Sequence, residues 1–243
     1  GGCVFSVQDS LSLFSLRSRN YRELAVFIRE EFSKNKGEVA SLIASLQDYV
    51  DRDDRQRLSG AEFQKYRDRG RGLFPRNRYL VTKAELKNVS GWHDAFQPKE
   101  WIKLLREVTI HPGGRLNFNS LTESRMNLIF GDKTIVEKVK NYRRTNAFSS
   151  KDEITKITGL VDDDFFLRVA FFPSKHVILR TRCSEHGGYS ELGLTMTPKS
   201  IMQPWEIDYR HRVTGSLSFD RKNSKISPST EERSSKRHAI FSN

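Results

Sequence analysis

DYVDRDDRQRLSGAEFQKY, running from Asp48 to Tyr66, packs four aspartates into its first turns and follows them with a basic run and Gly60-Ala61-Glu62. Upstream, Val39, Leu42, Ile43 and Leu46 recur at three- and four-residue spacing, one apolar face of a helix. Asp48 and Asp51 fall near the end of that helix, and Ser59-Gly60 marks a turn before a second helix carrying Phe63 and Tyr66. Carboxylates crowded at the negative end of a helix dipole repel one another unless something positive joins them. Calcium, which accepts several oxygen ligands in an irregular loop, would do so, and the candidate ligands are Asp48, Asp51, Asp53, Asp54 and Glu62. Salt bridges from Arg52, Arg55 and Arg57 would serve the same need, and Asp48 could instead cap neighbouring backbone. An EF-hand is excluded. Counting from Asp51, Asp53 and Glu62 fit its third and twelfth positions, but Arg55 and Gln56 stand where an oxygen ligand and a glycine are required.

Outward from this stretch, the chain begins and ends in strand-like sequence. Residues 3–16 form two short, partly alternating apolar runs broken at Gln8-Asp9-Ser10, a strand pair or a bent strand. Late in the chain, His176–Cys183, Tyr189–Met196 and Trp205–Val213 read as an antiparallel meander turning at Gly187-Gly188, and Phe165–Val169 as a further possible strand. The middle is helical. Leu24, Phe27, Ile28 and Phe32 define a first helix; Met126, Ile129 and Phe130 define another that stops at Gly131, and Ile135, Val136 and Val139 a third. Trp92, Phe96, Trp101, Leu104 and Leu105 supply bulky core at helical spacing.

A ten-residue unit occurs twice, as TKAELKNVSG from Thr82 and SKDEITKITG from Ser150. Each copy opens with a capping box, Thr82 with Glu85 and Ser150 with Glu153, and closes on a glycine able to take positive φ. A helical region of two related units follows. Residues 67–81, RDRGRGLFPRNRYLV, read as a solvated connector pinned to the core by its aromatics.

The 243 residues carry a net charge of +12, with 36% hydrophobic and 30% charged residues, a polar surface over a modest core. Residues 214–243 hold six Lys or Arg and three acids, so +3 belongs to a basic, apolar-poor tail expected to be disordered and +9 to the body. No apolar run reaches the ~18 residues of a membrane span. Cys3 and Cys183 permit one bridge or two reduced thiols.

The ordered motifs resemble those of the K-type minor pseudopilin of type II secretion systems. Its D-W-x-D-x-D-D…G-A-E…Y pattern stands here as Asp48-Tyr49-x-Asp51-x-Asp53-Asp54…Gly60-Ala61-Glu62…Tyr66, with Tyr for Trp. Then come Asn77, Glu85-Leu86…Val89-x-Gly91, and Leu116-Asn117-Phe118-Asn119-Ser120-Leu121 in place of an I-N-x-N-T-A box. The similarity spans most of residues 1–213. It implies an α+β fold, a small antiparallel pseudopilin-type sheet interrupted by a large inserted all-α domain. The sheet would comprise residues 1–16 and 161–213, the insert 17–160, and the tail 214–243. It further implies a non-enzymatic protein that caps and initiates the secretion pseudopilus at its tip, with I-type and J-type minor pseudopilins as partners. Calcium would hold the acidic loop. The full-length protein would be anchored at the periplasmic face of the bacterial inner membrane by an N-terminal helix that this chain lacks.

The basic charge raises a rival reading, a helix-hairpin-helix DNA-binding protein of competence-receptor type, which residues Leu116–Leu160 also resemble. Such a hairpin needs a Gly-hydrophobic-Gly turn whose amides approach a phosphate. The turns here read Phe130-Gly131-Asp132-Lys133 and Thr158-Gly159-Leu160-Val161, each lacking the second glycine, so no nucleic acid is expected. His93, His111, His176, His186, His211 and His238 show no paired zinc spacing and read as surface or core imidazoles. P-loop, GxSxG and dinucleotide signatures are missing.

Overall fold

The computed structural model describes residues 3–18, 20–68, 74–183 and 189–213. The Gly187-Gly188 turn, His186, part of the basic connector and the tail lie outside the described residues. The first strand, β1 (Val4–Asp9), pairs antiparallel with β6 (His176–Arg182) from Val4 opposite Arg182 to Asp9 opposite Val177. Strands β7 (Tyr189–Met196) and β8 (Trp205–Val213) continue the meander, giving one antiparallel sheet in the order β1-β6-β7-β8. Everything between β1 and β6 therefore leaves the sheet and returns to it. Cys3 and Cys183, flanking the paired ends of β1 and β6, are joined by a disulfide.

Between these strands run the helices α1 (Arg22–Glu31), α2 (Lys36–Val50), α3 (Phe63–Asp68), α4 (Trp92–Ala95), α5 (Pro98–Glu107), α6 (Glu123–Phe130), α7 (Lys133–Tyr142), α8 (Lys151–Thr158) and α9 (Asp163–Leu167). Two parallel strand pairs accompany them. β2 (Phe14–Arg17) lies beside β3 (Val108–Pro112), and β4 (Leu116–Asn117) beside β5 (Val169–Ala170). Residues 3–16, expected as a strand pair or a bent strand, thus form two strands in different sheets that do not pair with each other, and the intervening segment is not purely helical. These ladders are short, and two to five residues of alternation are too few to separate strand from loop. The strand expected at Phe165–Val169 is mostly helix α9. Asp162 caps it, its carboxylate accepting from Phe165 N at 2.9 Å, and three consecutive acids favour a helix start over a strand.

Buried side chains gather in two cores. One holds Phe14, Phe27, Ile28, Leu46, Trp92 and Leu104; the other holds Phe118, Met126, Val139, Phe148 and Ile154. Each copy of the repeated unit serves a different core: Leu86 and Val89 the first, Ile154 and Ile157 the second. The copies differ in form, a 3-10 helix at Lys83–Asn88 and the α-helix α8, which ends at Gly159 with φ +73. The Asn117–Asn119 box ties chain ends together. Asn117 Nδ2 donates to Asp9 Oδ2 at 2.7 Å, while Asn119 accepts from Phe148 N at 2.7 Å and donates to the carbonyls of Phe148 and Phe171. Asp9 also receives Ser174 N and Oγ, so β1 is held to the start of β6 by side chains as well as by its ladder.

Candidate functional site

Helix α2 ends where the core ends. Its final turn buries Tyr49 in the first core and places the Asp48 carboxylate in full burial against the following loop. That carboxylate accepts from the Arg57 backbone N at 3.2 Å and its guanidinium at 2.6 Å, and Arg57 also pairs with Asp51. The loop comes this close because residue 60 has no side chain: a Cβ there would lie 2.0 Å from Asp48 Oδ2. Glu62, four per cent exposed, sits beside the same group. Burial, then the Asp48 charge, pushes its carboxyl up to about 7.

The set expected from sequence is thus sorted. Asp48, Asp51 and Glu62 are brought together, Asp48 and Asp51 by a shared arginine. Asp53 and Asp54 are exposed, and Asp53 turns back to accept from Arg55 N at 3.0 Å. Arg57, one of the three arginines considered as salt-bridge partners, takes that role; Arg52 and Arg55 are exposed. Three buried oxygens nearby still lack a donor: Asp51 Oδ1, Glu62 Oε1 and Asn77 Oδ1. Asn77 is delivered by the connector, where its backbone N donates to the Tyr49 carbonyl at 3.0 Å and its φ is +54. Buried oxygens without donors cost free energy that a cation would relieve. The donors fit a hard cation. They are two carboxylates and a carboxamide, oxygen donors of the type such an ion takes, with Arg57 already covering part of the charge, although the loop's carboxylates do not gather three ligand atoms within 4.8 Å.

The connector is anchored as a connector. Phe74 stacks on Phe63 with ring centroids 4.9 Å apart, Leu80 is buried, and Arg76 pairs with Glu85 at 2.8 Å. At the hairpin between α6 and α7, Asp132 caps α7, accepting from Thr134 N at 2.7 Å, and sets a carboxylate where a phosphate would have to approach.

A second charged cluster had no counterpart among the motifs. Lys83 Nζ lies 2.7 Å from Glu191 Oε1, Arg180 Nε 2.7 Å from Glu191 Oε2, and the Tyr209 hydroxyl donates to Glu191 Oε1 at 2.8 Å. Lys83 also donates to the Leu105 carbonyl and Arg180 to the Arg106 carbonyl, so the 3-10 helix, α5, β6, β7 and β8 meet here. Gly193 admits the Tyr209 ring, since a Cβ would lie 2.0 Å from it. Burial raises the Glu191 carboxyl, but the charges of Lys83 and Arg180 outweigh it and hold it down at about 2. One sequence signal existed: Arg180 and Glu191 sit on the inward phase of their alternating strands and face each other in register.

The architecture is that of an α+β protein whose helices enter and leave a single antiparallel sheet. Residues 20–113 match the family model described as "Type II secretion system (T2SS), protein K". Among solved structures, the chain is similar to one from the GspK-GspI-GspJ complex of the enterotoxigenic Escherichia coli type 2 secretion system. The TM-score is 0.64 at 16% identity, covering 88% of this chain and 80% of that one, which establishes a shared fold. No curated protein matches the chain.

Proposed function

We propose that this chain caps and initiates the pseudopilus tip of a type II secretion system, assembling with I-type and J-type minor pseudopilins and carrying out no chemistry of its own. The observation that carries the reading is the protein K match over residues 20–113, which falls on the helices between β1 and β6. A head inserted between residues 17 and 160 widens one end of a pseudopilin sheet, so a further subunit could not stack above it. The membrane-anchoring helix would precede β1, keeping the sheet and head on the periplasmic face of the inner membrane. The disulfide suits that oxidising compartment. Edge strand β8 offers exposed Trp205 and Ile207 as apolar anchors for a partner. Co-expression with I- and J-type pseudopilins tests the assignment; a stable ternary complex is expected, and a chain that elutes alone from both partners overturns it.

Calcium in this reading is structural. Asp51 and Glu62 would hold it with Asn77, beside the Asp48 carboxylate that Arg57 already engages, and its charge would relieve the repulsion among the carboxylates. After chelation, calorimetric titration should show calcium binding and a rise in melting temperature. No heat and no shift would remove calcium and leave Arg57 as the group that holds Asp48 and Asp51.

A further inference from the structure

Three side chains that the sequence scatters over nearly a hundred residues converge at the joint between helices and sheet. His111 comes from β3, His176 opens β6, and Asp208 lies in β8. One ligand atom from each falls within 4.8 Å of the other two, a closeness that no other three such side chains reach among the described residues. The two imidazoles stack with centroids 4.6 Å apart, and His111 Nε2 lies 3.0 Å from Asp208 Oδ2. Their supports are in place. Thr195 Oγ1 donates to Asp208 Oδ2 at 2.8 Å and therefore has its lone pairs free to accept from His176 Nδ1 at 2.9 Å. That leaves His176 Nε2 as a bare lone pair. Thr109 Oγ1, 3.2 Å from His111 Nδ1, is placed to accept a hydrogen bond from Nδ1–H in the tautomer that leaves His111 Nε2 free to become a ligand. The threonines act as outer supports of the kind that orient metal-bound imidazoles.

We propose that His111, His176 and Asp208 form a site for a divalent transition-metal ion, zinc by ligand chemistry, that pins β3 of the helical region to β6 and β8 of the sheet. Two imidazoles and one carboxylate suit zinc better than calcium, whose ligands are oxygens. His111 is buried, whereas His176 and Asp208 reach the surface, so the ion has a way in and water can complete its coordination. This site shares no residue with the acidic loop.

The test uses the whole chain without a polyhistidine tag, chelated and then held in saturating calcium so that the acidic loop is out of play. Zinc is titrated by calorimetry, and cobalt by its visible ligand-field bands. One ion per chain is expected, with nitrogen ligation in the cobalt spectrum. His176→Ala and Asp208→Asn, both at partly exposed positions, should each weaken zinc binding at least about a hundredfold, and Thr195→Val about tenfold or more. His93→Ala should change nothing. Far-UV circular dichroism and the metal-free melting temperature show that each variant folds. Absence of zinc binding in the parent chain overturns the proposal, as does zinc affinity unchanged in His176→Ala and Asp208→Asn.

Discussion

The acidic loop and the Glu191 cluster both gather charge, but they do it in opposite ways. The loop draws Asp48, Asp51, Arg57 and Glu62 from one short stretch of chain, adds Asn77 from the connector, and leaves three buried oxygens without donors. The Glu191 cluster draws Lys83, Arg180, Glu191 and Tyr209 from segments far apart, and both carboxylate oxygens are paired. A half-satisfied site is poised to take something up. A fully satisfied one holds the molecule in one arrangement. The loop is therefore the candidate for a ligand, and the cluster is the fastening between head and sheet.

The sharpest way to break this contrast is to remove the carboxylate that the cations share. Glu191→Gln leaves Lys83 and Arg180 buried without a counter-charge and should cost about 3–5 kcal/mol in urea unfolding. Adding Lys83→Met should recover part of that loss. If Glu191→Gln unfolds like the parent, the cluster is not a fastening.

Acid titration is the next largest effect. The folded Glu191 carboxyl lies at about 2, below an unfolded value of about 4.3, so its contribution is present above the unfolded value and is lost as pH falls from there toward 2. The loss should be on the order of 3 kcal/mol by pH 2, measured as a falling melting temperature, and this component should be missing from Glu191→Gln.

The loop should respond more mildly. Gly60→Ala drives a methyl into Asp48, and the neighbouring chain must shift, at about 1–3 kcal/mol. It should also reduce any calcium-induced rise in melting temperature. Smallest is Asp53→Asn. With Asp53 exposed and bound only to the Arg55 amide, stability should change by no more than about 0.5 kcal/mol. A large loss of calcium response in that variant would return Asp53 to the ligand set.

What could be read ahead of the structure followed how local each interaction is. Helix α2, its acidic end, the turn at Ser59-Gly60 and α3 involve neighbours a few residues apart, and all were legible. The meander β6-β7-β8 was legible as well, because eight-residue alternation is long enough to count. Strand β3 was not, since five residues entering straight from α5 show too little period, and α9 was mistaken because its apolar run FFL suits either form until Asp162 is seen to cap it. Among the ligand candidates, the sequence supplied the right neighbourhood but could not separate Asp53, which faces water, from Asp48, which is buried. Asn77 stood in the motif series with no role until its side-chain oxygen was found without a donor.

By itself, then, the order of residues determined the helices, the acidic turn, the late meander and the resemblance to protein K, because capping, periodicity and turn chemistry act over a few residues. Folding in three dimensions decided which carboxylates face inward, that Cys3 meets Cys183, and that Lys83 and Arg180 share Glu191. It also set His111 against His176. Those pairings depend on β1 returning to β6 across the whole helical region, and no local preference specifies where a chain comes back to itself.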